Sequence, residues 1–438
     1  LLLSPPKTLD TVLTLQHARA CGAASPEPTA MASISLSLPL TETPEPIGPD
    51  LPDASPLSIA RRLAKRFAQT AAERDARGGT PKAERDALRA SGLLALSIPT
   101  VHGGLGATWR TTLDVVRTLA RADSSLAHVF GFRHLMLATV RLFGSPAQWQ
   151  ALFEQTSRHR WFWGNALNPL DERTIGHARD AWFEFSGQKS FCSGALDSEM
   201  LIVCARHAET RAYLVAAVPT QRSGISIADD WNNFGQRQTD SGSVTLEQVR
   251  VEHHELLADP GPFSSPFAGL RPLIAQLILT NIYLGIAEAA FDDARHYTLN
   301  EARPWPASKV ASTGEDPYIL SQYGEFWLGL EAARALADRA AAGLDKAWSR
   351  GTRLAANERG EVALTVASAK VAAAQTGHDI CTRMFDVTGA RATHGELRLD
   401  RHWRNLRTHT LHDPLAYKIR EIGEWALNRT YPTPSFYS

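Results

Sequence analysis

Residues Arg407 to Ile419 read RTHTLHDPLAYKI, and what surrounds the two histidines in this stretch decides the architecture. Pro414 suits the first turn of a helix, where a missing N–H is not needed and the fixed φ is already helical. Asp413 before it is a strong N-cap type, because its carboxylate can accept from open first-turn N–H groups. Leu415, Ile419, Ile422 and Ala426 then recur at helical spacing. The stretch predicts a helix from Asp413 to about Leu427, with His412 pinned just outside its positive end. His409 lies three residues earlier, on a segment that local pattern does not orient. For His412 two readings stand: packing against the helix start, or a group held rigidly for catalysis.

Composition narrows the field. The chain has 438 residues, enough for about three domains, and is 44% hydrophobic, enough for a large core. Basic and acidic residues number 46 each, so no basic excess points to nucleic acid and no like-charge block suggests an interaction tail. The cysteines, Cys21, Cys192, Cys204 and Cys381, have no CxxC spacing. That argues against a zinc site or disulfide framework and fits a reducing cytoplasm. No apolar run reads as long enough to span a membrane.

The pattern along the chain predicts an α+β fold that is mostly α. Residues 1–55 are rich in Pro, Ser and Thr and read as a disordered or loosely docked arm. LLLSPPKTLDTVLTLQ lacks the basic n-region of a signal peptide, and Met31 is a candidate natural start. Residues 56–158 are helical, with Ile59, Leu63 and Phe67 on one stripe and Gly103, Gly104 and Gly106 marking a turn. Over 159–262 the runs AWFEFSG, EMLIVCA, RAYLVAAVP, SGISIA and SVTLEQVRV read as strands of a small sandwich or barrel. Residues 263–428 hold long periodic helices joined by short links, the pattern of a four-helix bundle. Residues 429–438 form a tail.

Individual motifs are weak. No G-x-G-x-x-G follows a strand, and there is no P-loop or G-x-S-x-G elbow, so a self-contained nicotinamide site is not expected. A metal held by His409, His412 and Asp413, with His128 or His134, lacks the i, i+4 spacing of a helical zinc pair, and no metal is expected. GQKSFCSGA (187–195) ends a strand in small polar residues that can face a cofactor edge. Trp231 in DDWNNFGQRQTDSGS can stack on a flat ligand, although a lone Trp is more often core. Arg303 in NEARPWP is either a solvated charge or a phosphate ligand.

Taken together and in order, IPTVHGGLG, GQKSFCSG, FGQRQTDSGSVTLEQVRV, YTLNEARPWPAS and VTGARATHG resemble the acyl-CoA dehydrogenase fold over roughly residues 56–428. The resemblance implies an N-terminal helical domain, a middle β-domain and a C-terminal four-helix bundle. It also implies a homotetramer with flavin between subunits. The dehydrogenases carry their base in a segment of pattern R-D-x-K-x-x-x-I-Y-E-G-T, whereas here His412-Asp413-Pro414 replaces Tyr-Glu-Gly. That change argues against α-proton abstraction from a thioester. WRNLRTHTLHDP, with FCSGA, DDW, RQTDSGS, EDPY, YGEF and the final FYS, is instead similar to the flavin monooxygenases on this fold that oxidise organosulfur compounds, such as the dibenzothiophene and sulfone monooxygenases.

That resemblance implies a two-component enzyme. Reduced FMN arrives from a separate NAD(P)H-dependent reductase, reacts with O2 through a C4a-hydroperoxyflavin, and one oxygen passes to a small substrate. It further implies that Ser193 lies near flavin N5, that Trp231 packs on the flavin and that Asn165 positions the ring. Arg303 and Arg391 are implied to hold the phosphate, Arg303 from its own or a neighbouring subunit. His412 is implied to bond the flavin or its oxygen adduct, and His128 to face the substrate. Phe132 stands beside the substrate where the dibenzothiophene enzymes have a tyrosine. The rivals are an FAD-dependent acyl-CoA dehydrogenase with Asp413 as base, an N- or aromatic hydroxylase on the same scaffold, and a non-catalytic binding protein that kept the bundle.

Overall fold

The computed structural model describes residues 55–438, so the arm expected over 1–55 lies outside the described residues except for Ser55. Ser55 accepts a hydrogen bond from Ser58 N at 3.3 Å and caps the first helix. Six α-helices come first among the described residues: α1 (Pro56–Ala68), α2 (Ala71–Arg77), α3 (Lys82–Ala90), α4 (Trp109–Ala122), α5 (Ser124–Phe143) and α6 (Pro146–His159). Leu63 and Phe67 are buried, as the α1 stripe requires. Asp123 caps α5, accepting from Ser125 N at 2.9 Å and Leu126 N at 3.1 Å.

The strands are β1 (Trp163–Ala166), β2 (Ile175–Ala178), β3 (Trp182–Lys189), β4 (Met200–His207), β5 (Tyr213–Pro219), β6 (Ile225–Ile227) and β7 (Val244–Glu252). They form one sheet in the order β1-β4-β2-β3-β7-β6, with β5 paired antiparallel to β4. β1 and β2 both run parallel to β4, at different points along it. The first six residues of β4 are buried, which explains why MLIVCA is continuously apolar rather than alternating. The pattern reading missed β1 and β2, which have four residues each and include Gly164 and Gly176.

The C-terminal helices are α7 (Leu270–Asn300), α8 (Pro317–Arg350), α9 (Ala356–Thr388), α10 (Asp400–Thr410) and α11 (Leu415–Asn428). α7 corrects one expectation: it is long and apolar enough to cross a membrane. It is nonetheless fully buried over that stretch, and a helix that is apolar all round belongs at the centre of a bundle. Thr298 Oγ1 donates to Val387 O at 3.1 Å, so the C-terminal ends of α7 and α9 lie together. α10 was not legible as a helix, because RHWRNLRTHT has few apolar residues and tertiary contacts hold it. His402 Nε2 meets Asp293 at 2.8 Å and Arg404 Nη2 meets Asp75 at 2.5 Å.

The start of α11 differs from the expectation. Asp413 does not cap it; the helix begins at Leu415, and Pro414 precedes it with ψ 124° and no side-chain cap. The predicted stripe of α11 is not a core face in the single chain either. Ile419 is 46% exposed, and the one buried residue of the helix is Lys418.

Close packing also fixes the loop between β6 and β7. A Cβ at Gly235 would lie 2.1 Å from the Arg404 carbonyl oxygen. Gly235→Ala should therefore force α10 and the Trp231 loop apart, at about 1–3 kcal/mol of stability. Thermal melts of the two proteins check this.

Candidate active site

The loop after β3 brings Ser193 to the junction of the helical and β segments. Cys192 N donates to Gly242 O and Gly194 N to Thr239 O, each at 2.9 Å, so the loop is laced to the 236–242 loop. Arg85 of α3, wholly buried, secures both loops. Its guanidinium meets Asp240 Oδ2 at 2.6 Å and Gly194 O at 3.0 Å. Asn165 on β1 sits alongside, its N–H donating to Ser193 O at 3.0 Å.

A chain of hydroxyls then sets proton direction. Thr239 Oγ1 donates to Gln236 O at 3.0 Å, which uses its single hydrogen. Thr239 must then accept from Ser241 at 2.7 Å, and Ser241 from Ser193 at 2.7 Å. With its own hydrogen committed inward, Ser193 Oγ accepts from His128 Nε2 at 2.9 Å. His128 is thus the Nε2–H tautomer, and its buried Nδ1 has no partner among the described residues. Ser193 offers only a lone pair outward.

α5 carries His128 and, one turn on, Phe132. Their rings stack at 4.1 Å. The ring of His409, at the end of α10, lies 4.8 Å from His128. Burial pushes His128 down to about 3 and holds His134 and His409 well below the ordinary histidine range. His412 stands on the rim with its side chain 37% exposed.

Asp413 is the largest departure from the local reading. Its carboxylate is buried and pairs with Lys370 of α9. It also accepts from His412 Nδ1 at 3.0 Å and from Gln276 Nε2 of α7 at 3.2 Å. Burial acts to raise its pKa, but the His412 bond and the Lys370 charge outweigh this and hold it well below the usual carboxylate range. A buried ammonium needs a counterion, whereas the first-turn N–H groups of α11 are near solvent. The ion pair therefore takes precedence over the cap.

Trp231 is half-buried at the edge of this site; its indole N–H donates to Gln236 O at 2.7 Å and its ring meets Phe191 edge-on at 5.9 Å. Arg303 and Arg391 are exposed, and neither side chain makes a hydrogen bond or ion pair among the described residues. Arg303 follows α7 by way of Asn300, 24 residues beyond Gln276, so about 36 Å of helix separates it from the Asp413 cluster. Within one chain α7 therefore carries Arg303 away from the Asp413 cluster. Among the described residues no group of His, Cys, Asp or Glu could hold a metal. The three cysteines described are buried and free.

Sequence reasoning missed Lys370, Gln276, Ser241, Thr239 and Arg85, and it left His409 unplaced. Lys370, Gln276 and Arg85 sit on elements far away in the chain and carry no local signal, whereas Thr239 and Ser241 lie inside the RQTDSGS motif, which gave no role to either.

The residues present suit a flavin. A hydroxyl showing only acceptor capacity matches a ring edge that presents an N–H, and Asn165 Nδ2 makes no bond with the described residues. Family models agree with the architecture: the acyl-CoA dehydrogenase N-terminal domain matches residues 57–159, the middle domain 170–249 and the C-terminal domain 277–416. The chain belongs to the flavin-dependent monooxygenases of the acyl-CoA dehydrogenase fold and is an oxidoreductase of that class. It is 65% identical over 390 residues to a probable FMNH2-dependent monooxygenase, SfnC, of Pseudomonas putida, covering 88% of this chain and 98% of that one. It is similar to the structure of methanesulfinate monooxygenase MsuC from Pseudomonas fluorescens, with TM-score 0.87, 65% identity, and 88% and 100% of the two chains covered. The FMN-bound structure of TdsC, the dibenzothiophene monooxygenase of Paenibacillus sp. A11-2, gives TM-score 0.84 at 43% identity, covering 87% and 99%.

Two measurements test the electrostatics. Asp413→Ala strands a buried ammonium and should cost about 3–5 kcal/mol, against about 0.5–2 for a lost cap. Asp413→Ser, which keeps a capping oxygen, should not recover it; denaturant midpoints decide. The second concerns acid. His128, His134 and His409 are neutral when folded but protonated when unfolded below about pH 6.5. The unfolded chain then binds more protons, so stability falls as pH drops from about 6.5 towards 3, each histidine adding about 1.4 kcal/mol per pH unit. His128→Asn should make that slope shallower by one proton, seen in denaturation curves between pH 4.5 and 7.

Proposed function

We propose that this chain is the oxygenase half of a two-component system in the cytoplasm. It takes FMN, rather than FAD, already reduced by a separate NAD(P)H-dependent reductase that binds transiently. It adds one atom of O2 to the sulfur of a small organosulfur compound, most specifically an alkanesulfinate, giving the sulfonate and water.

The observation that carries this reading is the occupation of Asp413. A dehydrogenase base must be a carboxylate free to take a proton from substrate, whereas the Asp413 carboxylate is shared by Lys370, His412 and Gln276. What remains at the site is neutral hydrogen-bonding chemistry. His128 and Ser193 supply a rigid hydroxyl–imidazole edge, and His412 supplies a ring held through Nδ1, with Nε2 left for a ligand. Bound FMN, once reduced, supplies two electrons and the activation of O2. The protein's part is to hold the ring, exclude water and keep protons at fixed atoms.

Two further observations support the reading. Arg271 on α7 is buried, and the only hydrogen bond of its side chain among the described residues runs from Nε to Thr139 Oγ1 at 2.9 Å. A buried guanidinium with no carboxylate partner favours an anionic ligand over a neutral one; its neighbour Tyr437 has its ring 5.8 Å from that of His412. Arg303, carried away from the Asp413 cluster in its own chain, and the exposed Arg391 suit the phosphate of a flavin bound to a second copy. The exposed apolar residues Tyr318 (78%), Leu328 (71%) and Trp327 (52%) on α8 suit the packing of a homotetramer.

The test is reconstitution. The purified chain should not oxidise NADH by itself. With FMN, NADH and an unrelated flavin reductase under air, it should convert methanesulfinate to methanesulfonate, measured by ion chromatography. His412→Ala should release hydrogen peroxide in place of sulfonate while its melting temperature changes little. Coupled product formation by that variant would remove His412 from the chemistry.

A further inference from the structure

Behind His412, across Asp413, stands a buried lysine. Lys370 lies mid-way along α9, is 1% exposed, and has no aqueous route by which to shed the cost of its charge. Its ammonium pairs with Asp413 Oδ1, the same oxygen that accepts from His412 Nδ1 at 3.0 Å. The other oxygen, Oδ2, is taken by Gln276 Nε2 at 3.2 Å, and Gln276 Nε2 also reaches Tyr437 O at 3.2 Å. One carboxylate thus ties together α7, α9, the C-terminal tail and the rim histidine.

Given the monooxygenase reading of the site, we propose that Lys370 is a positioning residue for oxygen transfer: by neutralising and orienting Asp413 it fixes His412 as a ring that donates through Nδ1 and presents Nε2 to the reacting group.

The chemistry follows from which groups can carry charge there. A carboxylate only accepts, so Nδ1 of His412 must bear a hydrogen. A carboxylate with a histidine as its sole cationic partner would draw a proton onto the ring, and the pair would be an ion pair. With Lys370 on the same oxygen, the buried charge is already balanced without the ring. Among the described residues, none of the other groups nearby does this. His128 from α5 and His409 from α10 are buried and neutral, and Tyr283 of α7 and Tyr437 of the tail are phenols held above their ordinary range by burial. On α11, Lys418 is spent on Glu421 at 2.9 Å and on Tyr437 O at 2.6 Å. Burial pulls Lys370 down to about 8 against the pull of Asp413, so the arrangement is intact at neutral pH and is released as the pH passes about 8.

The test uses the full chain with FMN, NADH and a separate reductase, reading the ratio of sulfonate to hydrogen peroxide from pH 6 to 10. Lys370→Gln keeps a donor to Asp413 but not the charge, and Lys370→Arg keeps the charge at every pH used. The wild type should lose coupling above about pH 8. Lys370→Arg should carry coupling past that limit, an effect that packing alone does not produce. Lys370→Gln should lower the ratio roughly tenfold or more at pH 7, the usual scale for a group that orients a reacting one. A flavin-free readout accompanies these. In 15N-histidine-labelled protein, the His412 ring, assigned with His412→Asn, should show a single Nδ1–H pattern in the wild type and lose it in Lys370→Gln. An unchanged ratio in Lys370→Gln, or the same alkaline limit in Lys370→Arg, overturns the proposal while leaving the monooxygenase reading intact. A wild type that makes no sulfonate from any sulfinate overturns both. If Lys370→Gln fails to fold, the Lys370→Arg pH profile decides alone.

Discussion

The pairing of Lys370 with Asp413 is the contact around which the C-terminal part of the molecule is arranged. An ammonium inside a helix bundle is tolerable only against a carboxylate with well-made hydrogen bonds. Asp413 must turn inward to meet it, which moves the start of α11 to Leu415 and leaves Pro414 as the hinge. The same inward turn places His412 on the rim, bonded through Nδ1. Gln276 extends the network to the tail, where Arg359, itself buried, holds the Gly269 and Ser438 carbonyls. A helix cap, a helix boundary, a ring orientation and the docking of the tail thus depend on one buried charge.

A second buried charge does similar work on the other side of the site. Arg85, with Asp240 and the carbonyls of Gly194 and Asp197, ties α3 to two loops of the sheet. Those loops carry Ser193 and the Ser241–Thr239 relay. Because every hydroxyl hydrogen in the relay has a fixed destination, the polarity of the whole edge is decided at the Gln236 carbonyl. The site is therefore built at a junction: α5 supplies His128, the sheet loops supply Ser193, and the bundle supplies His409 and His412. No single segment contains it.

This arrangement explains how a dehydrogenase scaffold can support a different reaction. In the segment where the dehydrogenases carry their base stands His412, and the carboxylate beside it is turned away to balance a lysine. The change is one of charge bookkeeping rather than of fold. Phe132 fits the same logic. Lacking a hydroxyl, it stacks on His128 without competing for its nitrogens, and His128 stays neutral because burial, with a smaller contribution from His412, disfavours its charged form.

Much of this was legible in the sequence, for definite reasons. Helical and strand periods are local, so α1, α4, α5, α7, α8, α9 and five of the seven strands could be read from apolar spacing and turn residues. The motif set identified the family, because its members recur in order along the chain. Ser193, His128 and His412 could be named as candidates from the motifs; the structure bonds His128 to Ser193 and ties His412 to Asp413. What the sequence could not decide was where Asp413 would spend its carboxylate. Locally it is a good cap, and only the approach of Lys370, 43 residues earlier in the chain, makes it a counterion instead. α10 was hidden because long-range ion pairs rather than an apolar stripe hold it. The exposed stripe of α11 and the distance of Arg303 from its own Asp413 cluster are likewise set by how the helices pack, which no local pattern records. Local pattern records what a segment prefers, but buried charge is settled by whichever partner the fold brings within reach, because an unpaired charge in the interior costs more than any cap returns.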